Sequence, residues 1–120
     1  MRFMLLIYDN PGTRELFQSE EGKPLMEAAG SLMAELTESG ELLSTEGLAD
    51  PVNTRSVRIE NGAPVVTDAP LAESKEHFGG YLRLDCESLD RALEIAKRWP
   101  SLPYGALEVR PIMYAGGTEM

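Results

Sequence analysis

A short segment between residues 68 and 77 gathers most of the side chains that could transfer a proton or hold a charged substrate. It contains Asp68, Lys75 and His77, and Pro70 restrains the backbone of the loop. A lysine among carboxylates can orient an acidic substrate, and histidine is the side chain whose ordinary pKa lies nearest neutrality. We therefore predict His77 and Asp68 as catalytic acid–base residues and Lys75 as a substrate-binding residue.

A structural interpretation of the same segment stays open beside this one. In it, Asp68 caps the turn before Pro70, and His77 is an ordinary surface or dimer-contact side chain. Glu73 precedes His77 by four residues and would share a helical face with it. Two ligands do not make a durable metal site, so we expect no metal, and nothing in the chain requires a cofactor.

A second group of polar side chains lies on two predicted strands. Residues two apart on a strand project from the same face, which pairs Arg83 with Asp85 and Glu108 with Arg110. If these strands are neighbours, the four side chains form an ionic ladder that either binds a carboxylate or polar aromatic ligand or sets the register of a dimer. The predicted substrate-binding residues on this face are Tyr8, Tyr81, Arg83, Glu108 and Arg110.

Hydrophobic periodicity predicts the elements that position these groups. Apolar residues alternate in the strands and recur every three or four residues in two helices. Asn61-Gly62 tolerates the positive φ angles of a tight hairpin turn. Ser88 is a candidate N-cap, and Gly79-Gly80 reads as a bulge or a close approach of two backbones. In chain order we predict a strand over 2–8, a helix over about 23–39, a strand over 42–46, a hairpin of 55–60 and 64–67, a strand over 78–86, a helix from 88, and a strand over 106–113.

Several finer expectations follow from the helical patterns. In the first helix, the buried stripe comprises Leu25, Ala29, Leu32 and Leu36, widened by Met26 and Met33, with Gly40 at C′. In the second helix, the predicted buried face comprises Leu89, Ala92, Leu93 and Ala96.

This order of elements is the split β-α-β pattern of an α+β, ferredoxin-like antiparallel sheet with two helices on one face and an inserted β-hairpin. The 120 residues fit one domain, spanning 1–120. The second face of the sheet mixes charges with Met4 and Leu6, which is too apolar for plain solvent and too charged for a dry core. It suits a homodimer whose sheets pack together around a partly polar cavity.

The amino-acid composition argues against two classes of binding partner, nucleic acids and membranes. The net charge of −9 and the lack of a Lys/Arg cluster argue against nucleic acid, and the same charge argues against anionic membrane surfaces. The longest apolar run, from Phe3 to Tyr8, is far too short to span a bilayer. A lone cysteine, Cys86, cannot form an internal disulfide and is expected to pack in the core, which suits the cytoplasm.

The segment from Val66 to Glu76 resembles the Asp-Gly-Pro-Phe-Ala-Glu-Thr-Lys-Glu signature of the DGPF-motif branch of the YCII-related proteins. Gly79-Gly80-Tyr81 and the run from Glu108 to Ile112 continue the similarity, which extends over essentially the whole chain. Ala69 stands where the signature has Gly, and Leu71 stands where it has Phe.

The resemblance implies a dimeric α+β barrel, in which two ferredoxin-like sheets face one another. Better-studied YCII relatives carry a His–Asp pair in a cleft, and a chlorinated-aromatic dehydrochlorinase belongs to the wider group. The implied function is binding of a small polar or anionic molecule at the dimer interface, with lyase-like or hydrolase-like acid–base chemistry. The alternative is a non-catalytic sensor or interaction module associated with sigma-factor signalling.

Overall fold

The computed structural model describes residues 1–71 and 75–116. Within these ranges the chain forms a four-stranded sheet, a separate two-stranded ribbon and three α-helices. The elements are β1 (Arg2–Asp9), α1 (Pro11–Phe17), α2 (Lys23–Glu38), β2 (Leu42–Gly47), β3 (Ser56–Glu60), β4 (Ala63–Thr67), β5 (His77–Asp85), α3 (Leu89–Lys97) and β6 (Ala106–Pro111).

The main sheet has the strand order β2-β5-β1-β6, and its neighbouring strands are antiparallel. This is the ferredoxin-like order, so the predicted α+β fold class is confirmed. Because β1 lies between β5 and β6, Arg83 and Arg110 do not stand on neighbouring strands, and the condition stated for an ionic ladder is not met. The register instead places Met4 between these two arginines.

The core lies between one face of the main sheet and the helices α2 and α3. Phe3 and Leu5 of β1 are almost completely buried, as the alternating pattern predicted. From α3, Ile95 enters the core, whereas Leu89 and Leu93 are 45% and 38% exposed. The prediction that Leu89 and Leu93 are buried was therefore wrong, because the short helix turns its Ala92–Ile95–Ala96 side toward the sheet.

The helix α2 divides into two parts along its length. Leu32 and Leu36 in its C-terminal half are buried in the core, and Gly40 follows the helix with φ +81°, as its predicted place at C′ requires. The N-terminal part of the predicted stripe does not reach the core. Its side chains, Leu25, Met26 and Ala29, line an open cleft, whose lining also includes Met33 at the edge of the core.

The ribbon formed by β3 and β4 confirms the predicted hairpin. Asn61 and Gly62 both have positive φ angles, which the tight turn requires. The register pairs Val57 with Val66 and Ile59 with Pro64, so one face of the ribbon is wholly apolar. These four side chains are exposed in the single chain.

The helix α1 was missed in the sequence, where the Asp9–Gly12 stretch reads as a turn. Asn10 accepts a hydrogen bond from the Thr13 backbone at 3.0 Å, and Pro11 occupies the first helical position. An N-cap residue followed by proline is a recognised helix-start signal, and it could have identified this helix. No helix in the described part of the chain is both long enough and apolar enough to cross a membrane.

Candidate functional site

A cleft of about 610 Å³ lies between the N-terminal half of α2 and the ends of β1, β2 and β5. Its volume falls within the range of small-molecule binding pockets. The side chains that α2 contributes are apolar, and residues from the sheet and the connecting segments complete the wall. The main apolar contributors outside α2 are Ile7, Phe17, Phe78 and Trp99.

An ion-paired cluster lies at one side of this cleft. Arg14 Nη1 donates to Asp9 Oδ1 at 2.9 Å, and Arg14 Nε lies 3.5 Å from Asp50 Oδ2. The Arg14 and Asp9 side chains are about one-fifth exposed, whereas that of Asp50 is 44% exposed. The cluster therefore presents a half-buried guanidinium held between two carboxylates.

Local capping interactions fix the position of Arg14. Asn10 caps α1, and its Nδ2 also donates to the Tyr104 carbonyl oxygen at 2.8 Å. Thr13, which is buried, donates to that same carbonyl oxygen at 2.8 Å. These contacts tie the first turn of α1 to the segment before β6, so the next residue, Arg14, is directed into the cleft. Asp9, Arg14 and Asp50 were not among the predicted site residues.

Two glycines shape the floor of the cleft. A Cβ atom on Gly80 would lie 2.7 Å from the Glu46 carbonyl oxygen, and one on Gly79 would lie 2.6 Å from Asp9 Oδ2. The register of β1 with β5 shifts between Ile7 and Tyr8, opposite these glycines. The prediction that Gly79-Gly80 marks a bulge or a close approach of two backbones is confirmed.

His77 lies beside a second, adjoining cavity of about 340 Å³. The segment from Leu48 to Pro51 and Phe78 line both cavities. In the β1–β5 register His77 is the partner of Asp9, so their side chains project from the same face of the sheet. The prediction from the sequence paired His77 with Asp68, whereas the strand register places His77 opposite Asp9.

The remaining predicted residues of this segment lie away from the main cleft. Asp68 forms an ion pair with Arg55 at 3.0 Å, and both side chains are largely exposed. Lys75 is exposed. Glu73, considered as a partner for His77, lies outside the described residues. In the part of the chain that the structure describes, no cluster of three His, Cys, Asp or Glu side chains is placed to hold a metal ion.

The other predicted residues occupy the sheet face opposite the helices. In this face Leu6 lies between Tyr81 and Glu108. Tyr81 donates its hydroxyl hydrogen to Glu46 Oε1, and Arg83 donates to Ser44 Oγ at 3.4 Å. Several predicted residues thus share a face, but it is not the face that bounds the cleft.

Tyr8 lies at the end of this face and interacts with Phe78 and Glu108. Its ring packs against Phe78 with centroids 5.8 Å apart. A hydrogen-bonding interaction with the Glu108 carboxylate, together with burial, raises the pKa of Tyr8 above its ordinary value, and Arg110 opposes this shift.

Elsewhere, Cys86 is 5% exposed and burial raises the pKa of its thiol, which agrees with the predicted role in core packing.

Comparison with known proteins defines the class of protein. A family model described as the YCII-related domain matches residues 1–115. The chain therefore belongs to the YCII-related family, as the sequence resemblance predicted.

Two relatives illustrate this membership. An uncharacterised protein of Rhizobium meliloti is 29% identical over 114 residues, covering 93% of this chain and 92% of that protein. Among solved structures, 5-chloro-2-hydroxyhydroquinone dehydrochlorinase (TftG) from Burkholderia phenoliruptrix, in complex with 2,5-dihydroxybenzoquinone, matches with a TM-score of 0.51 at 15% identity, covering 96% of each chain. At that identity, the similarity to TftG shows a shared fold.

Proposed function

We propose that the protein binds a small ring molecule carrying polar groups in the cleft between α2 and the sheet. The observation that carries this proposal is the combination of an apolar wall with the ion-paired Asp9–Arg14–Asp50 cluster at one side. Ligand sites typically combine apolar walls with a few polar groups that fix orientation. The TftG complex holds a ring compound, 2,5-dihydroxybenzoquinone, which supports a ligand of this size.

Filling the cleft tests this proposal. Ala29 lies on the cleft side of α2, whereas Ala34 lies on the exposed side of the same helix. Ala29→Phe should abolish binding of ring compounds found by a thermal-shift screen that includes 2,5-dihydroxybenzoquinone. Ala34→Phe is the matched control and should leave their affinities unchanged. Equal affinities in the two variants would place the binding site elsewhere and refute the proposal.

The same region offers a candidate for acid–base chemistry. His77 lines the adjoining cavity, and Asp9 is its partner across β1 and β5. Cross-strand partners have Cβ atoms about 4.5–5.5 Å apart, so an ordered water or a ligand group can connect the two side chains. We propose His77 as the proton carrier and Asp9, in preference to Asp68, as its carboxylate partner.

Dehydrochlorination is the reaction to test first, because TftG shares the fold and is a dehydrochlorinase. Chloride release from 5-chloro-2-hydroxyhydroquinone should depend on His77, so His77→Gln should slow turnover while leaving binding of the ring intact. Asp68→Asn should leave the rate near that of the native chain. A rate that falls with both His77→Gln and Asp68→Asn would restore the pairing predicted from the sequence.

We propose further that two copies pair through the sheet face opposite the helices. Met4, Leu6 and Tyr8 are only half-buried on this face of the single chain, although they are large apolar or aromatic side chains. A second copy would cover them and leave the surrounding charges at the rim, where an interface tolerates polar groups.

The alternative of a signalling module remains a prediction; binding of a sigma-factor-type protein without ring-compound binding would favour it.

A further inference from the structure

The polar side of the cleft carries an excess of negative charge. Arg14 contributes one positive charge, whereas Asp9 and Asp50 each contribute a negative charge. A bound molecule therefore meets a guanidinium whose charge the two aspartates already more than balance.

The contacts of Arg14 with Asp9 and Asp50 determine which ligand groups its guanidinium can bind. A carboxylate binds arginine most strongly through two parallel hydrogen bonds, often along the edge formed by Nε and one terminal nitrogen. Asp50 Oδ2 lies 3.5 Å from Arg14 Nε, on that edge, and Asp9 Oδ1 accepts a hydrogen bond from Arg14 Nη1. An anionic ligand would have to displace Asp50, whereas a neutral carbonyl or hydroxyl oxygen needs only one donor hydrogen.

Asp50 is itself held in place by the backbone. Its Oδ1 accepts a hydrogen bond from the Val52 amide at 2.9 Å, as the N-cap of the short 3-10 helix Pro51–Asn53. Because one carboxylate oxygen serves the cap and the other faces Arg14, the charge of Asp50 is fixed at the cleft. Asparagine and serine can both preserve the cap while removing the charge.

We infer that Asp50 makes the cleft selective for uncharged or cationic ring molecules and against anionic ones. This inference rests on the proposed function, because it concerns the ligand class of the same cleft. It keeps the polar ligand of the sequence-based expectation and opposes the anionic one, and it assigns this discrimination to one side chain.

Three ring compounds of nearly the same shape but different charge provide the test. These are 4-hydroxybenzoate, 4-hydroxybenzamide and 4-hydroxybenzamidine, which are anionic, neutral and cationic, and their affinities can be measured by calorimetric titration. The native chain should bind the amide and the amidine more tightly than the benzoate. Asp50→Asn should raise the affinity for the benzoate by about tenfold, and change that for the amide less than about twofold.

Controls separate this inference from the proposed function. Asp50→Ser should repeat the effect of Asp50→Asn, which guards against a folding defect in either variant. Asp90→Asn removes the same charge from the exposed first turn of α3 and should leave all three affinities unchanged. Tighter binding of the benzoate than of the amide by the native chain, or an equal gain in benzoate affinity in Asp90→Asn, would overturn the inference. Failure of all three compounds to bind the native chain or the Asp50 variants would overturn the proposed function with it.

Discussion

The carboxylate of Asp9 lies against the backbone of Gly79, so that a Cβ atom at position 79 would come within 2.6 Å of Asp9 Oδ2. The same carboxylate holds Arg14 through its other oxygen, Oδ1. Asp9 therefore cannot move away from Gly79 without disturbing the ion pair in the cleft. The absence of a side chain at Gly79 is a condition for the geometry of the candidate site.

Gly79→Ala should consequently destabilise the fold and weaken the Asp9–Arg14 pair. We expect the free energy of unfolding to fall by about 1–3 kcal/mol, the usual cost of forcing extra atoms into a packed site. Urea denaturation monitored by circular dichroism would measure it. Gly47→Ala is the control: a Cβ atom there meets nothing within 4 Å, and we expect a change below about 0.5 kcal/mol.

A double-mutant cycle identifies the source of that cost. In an Asp9→Ala background the crowded carboxylate is absent, so Gly79→Ala should cost less than in the native chain. An equal cost in both backgrounds would mean that the alanine strains the β5 backbone itself, and the proposed link between Gly79 and Asp9 would be wrong.

A second prediction concerns the pair formed by Glu41 and Arg91. Arg91 donates from Nε and Nη2 to the two carboxylate oxygens of Glu41, at 2.8 and 2.9 Å, and joins the start of β2 to α3. Hydrogen bonding to Arg91 lowers the pKa of Glu41 from 4.5 to about 2. Because the pKa is depressed in the folded state, the stabilisation is present above the ordinary pKa and is lost as the pH falls toward 2.

Glu41→Gln should therefore destabilise the protein at neutral pH by about 2 kcal/mol, with the difference shrinking as the pH falls from about 5 toward 2. Urea denaturation at several pH values would show this convergence. Glu35→Gln is the control, because Glu35 also accepts two hydrogen bonds from an arginine, here from Nη1 and Nη2 of Arg98, but both side chains are about half exposed. We expect little effect there, since solvent screens exposed pairs. A constant difference between native and Glu41→Gln chains at every pH would contradict the assignment.

The positions of the strands could be predicted from sequence because their patterns are strong and local. The alternation around Phe3 and Leu5 determines which face of β1 is buried, and Asn61-Gly62 specifies the hairpin turn. The buried side of α3 was harder to assign. A nine-residue helix has several apolar faces, and contact with the sheet decides that Ile95 is buried while Leu93 is exposed.

The cleft could not be predicted from the same patterns. Leu25 and Ala29 have the spacing of core residues, and only the three-dimensional arrangement leaves them facing a cleft. Asp9, Arg14 and Asp50 come together from the end of a strand, a short helix and a loop, and each is an ordinary surface residue type in the sequence. Their meeting depends on the Asn10 cap and on the close approach at Gly79, which periodicity does not describe.

A third prediction follows from the contact between Tyr8 and Glu108. Glu108 and burial raise the pKa of Tyr8 above 10.0, so the folded state retains this proton more tightly than the unfolded chain does. Stability contributed by the phenol is then lost as the pH rises through the raised pKa. Glu108→Gln should lower the pKa of Tyr8 toward its ordinary value. The phenolate absorbance of Tyr8, obtained as the difference between each chain and its Tyr8→Phe variant, would report the shift.

The control for this titration is Glu46→Gln, because Glu46 accepts its hydrogen bond from Tyr81 and not from Tyr8. That variant should leave the Tyr8 titration unchanged. An identical Tyr8 titration in Glu108→Gln and in the native chain would show that burial alone shifts the pKa, and would remove Glu108 from the environment of this tyrosine.

A fourth prediction tests which apolar surface joins two copies. Leu6 lies in the centre of the sheet face opposite the helices, and Ile59, which is 67% exposed, lies on the apolar face of the ribbon. Leu6→Lys should convert a dimer into monomers, because burying an ammonium in an interface is costly even with Glu108 on the neighbouring strand. Ile59→Lys, with the same change of charge, should leave the dimer intact. Sedimentation velocity would measure the mass of each variant.

Salt provides an independent check on the same interface. Each chain carries a net charge of −9, so two copies repel one another at long range, and added salt should screen this repulsion and strengthen the dimer. Salt bridges at the rim would give the opposite trend. Dissociation by Ile59→Lys and not by Leu6→Lys would move the interface to the β3–β4 ribbon, whereas a native chain that stays monomeric at every salt concentration would refute the proposed pairing.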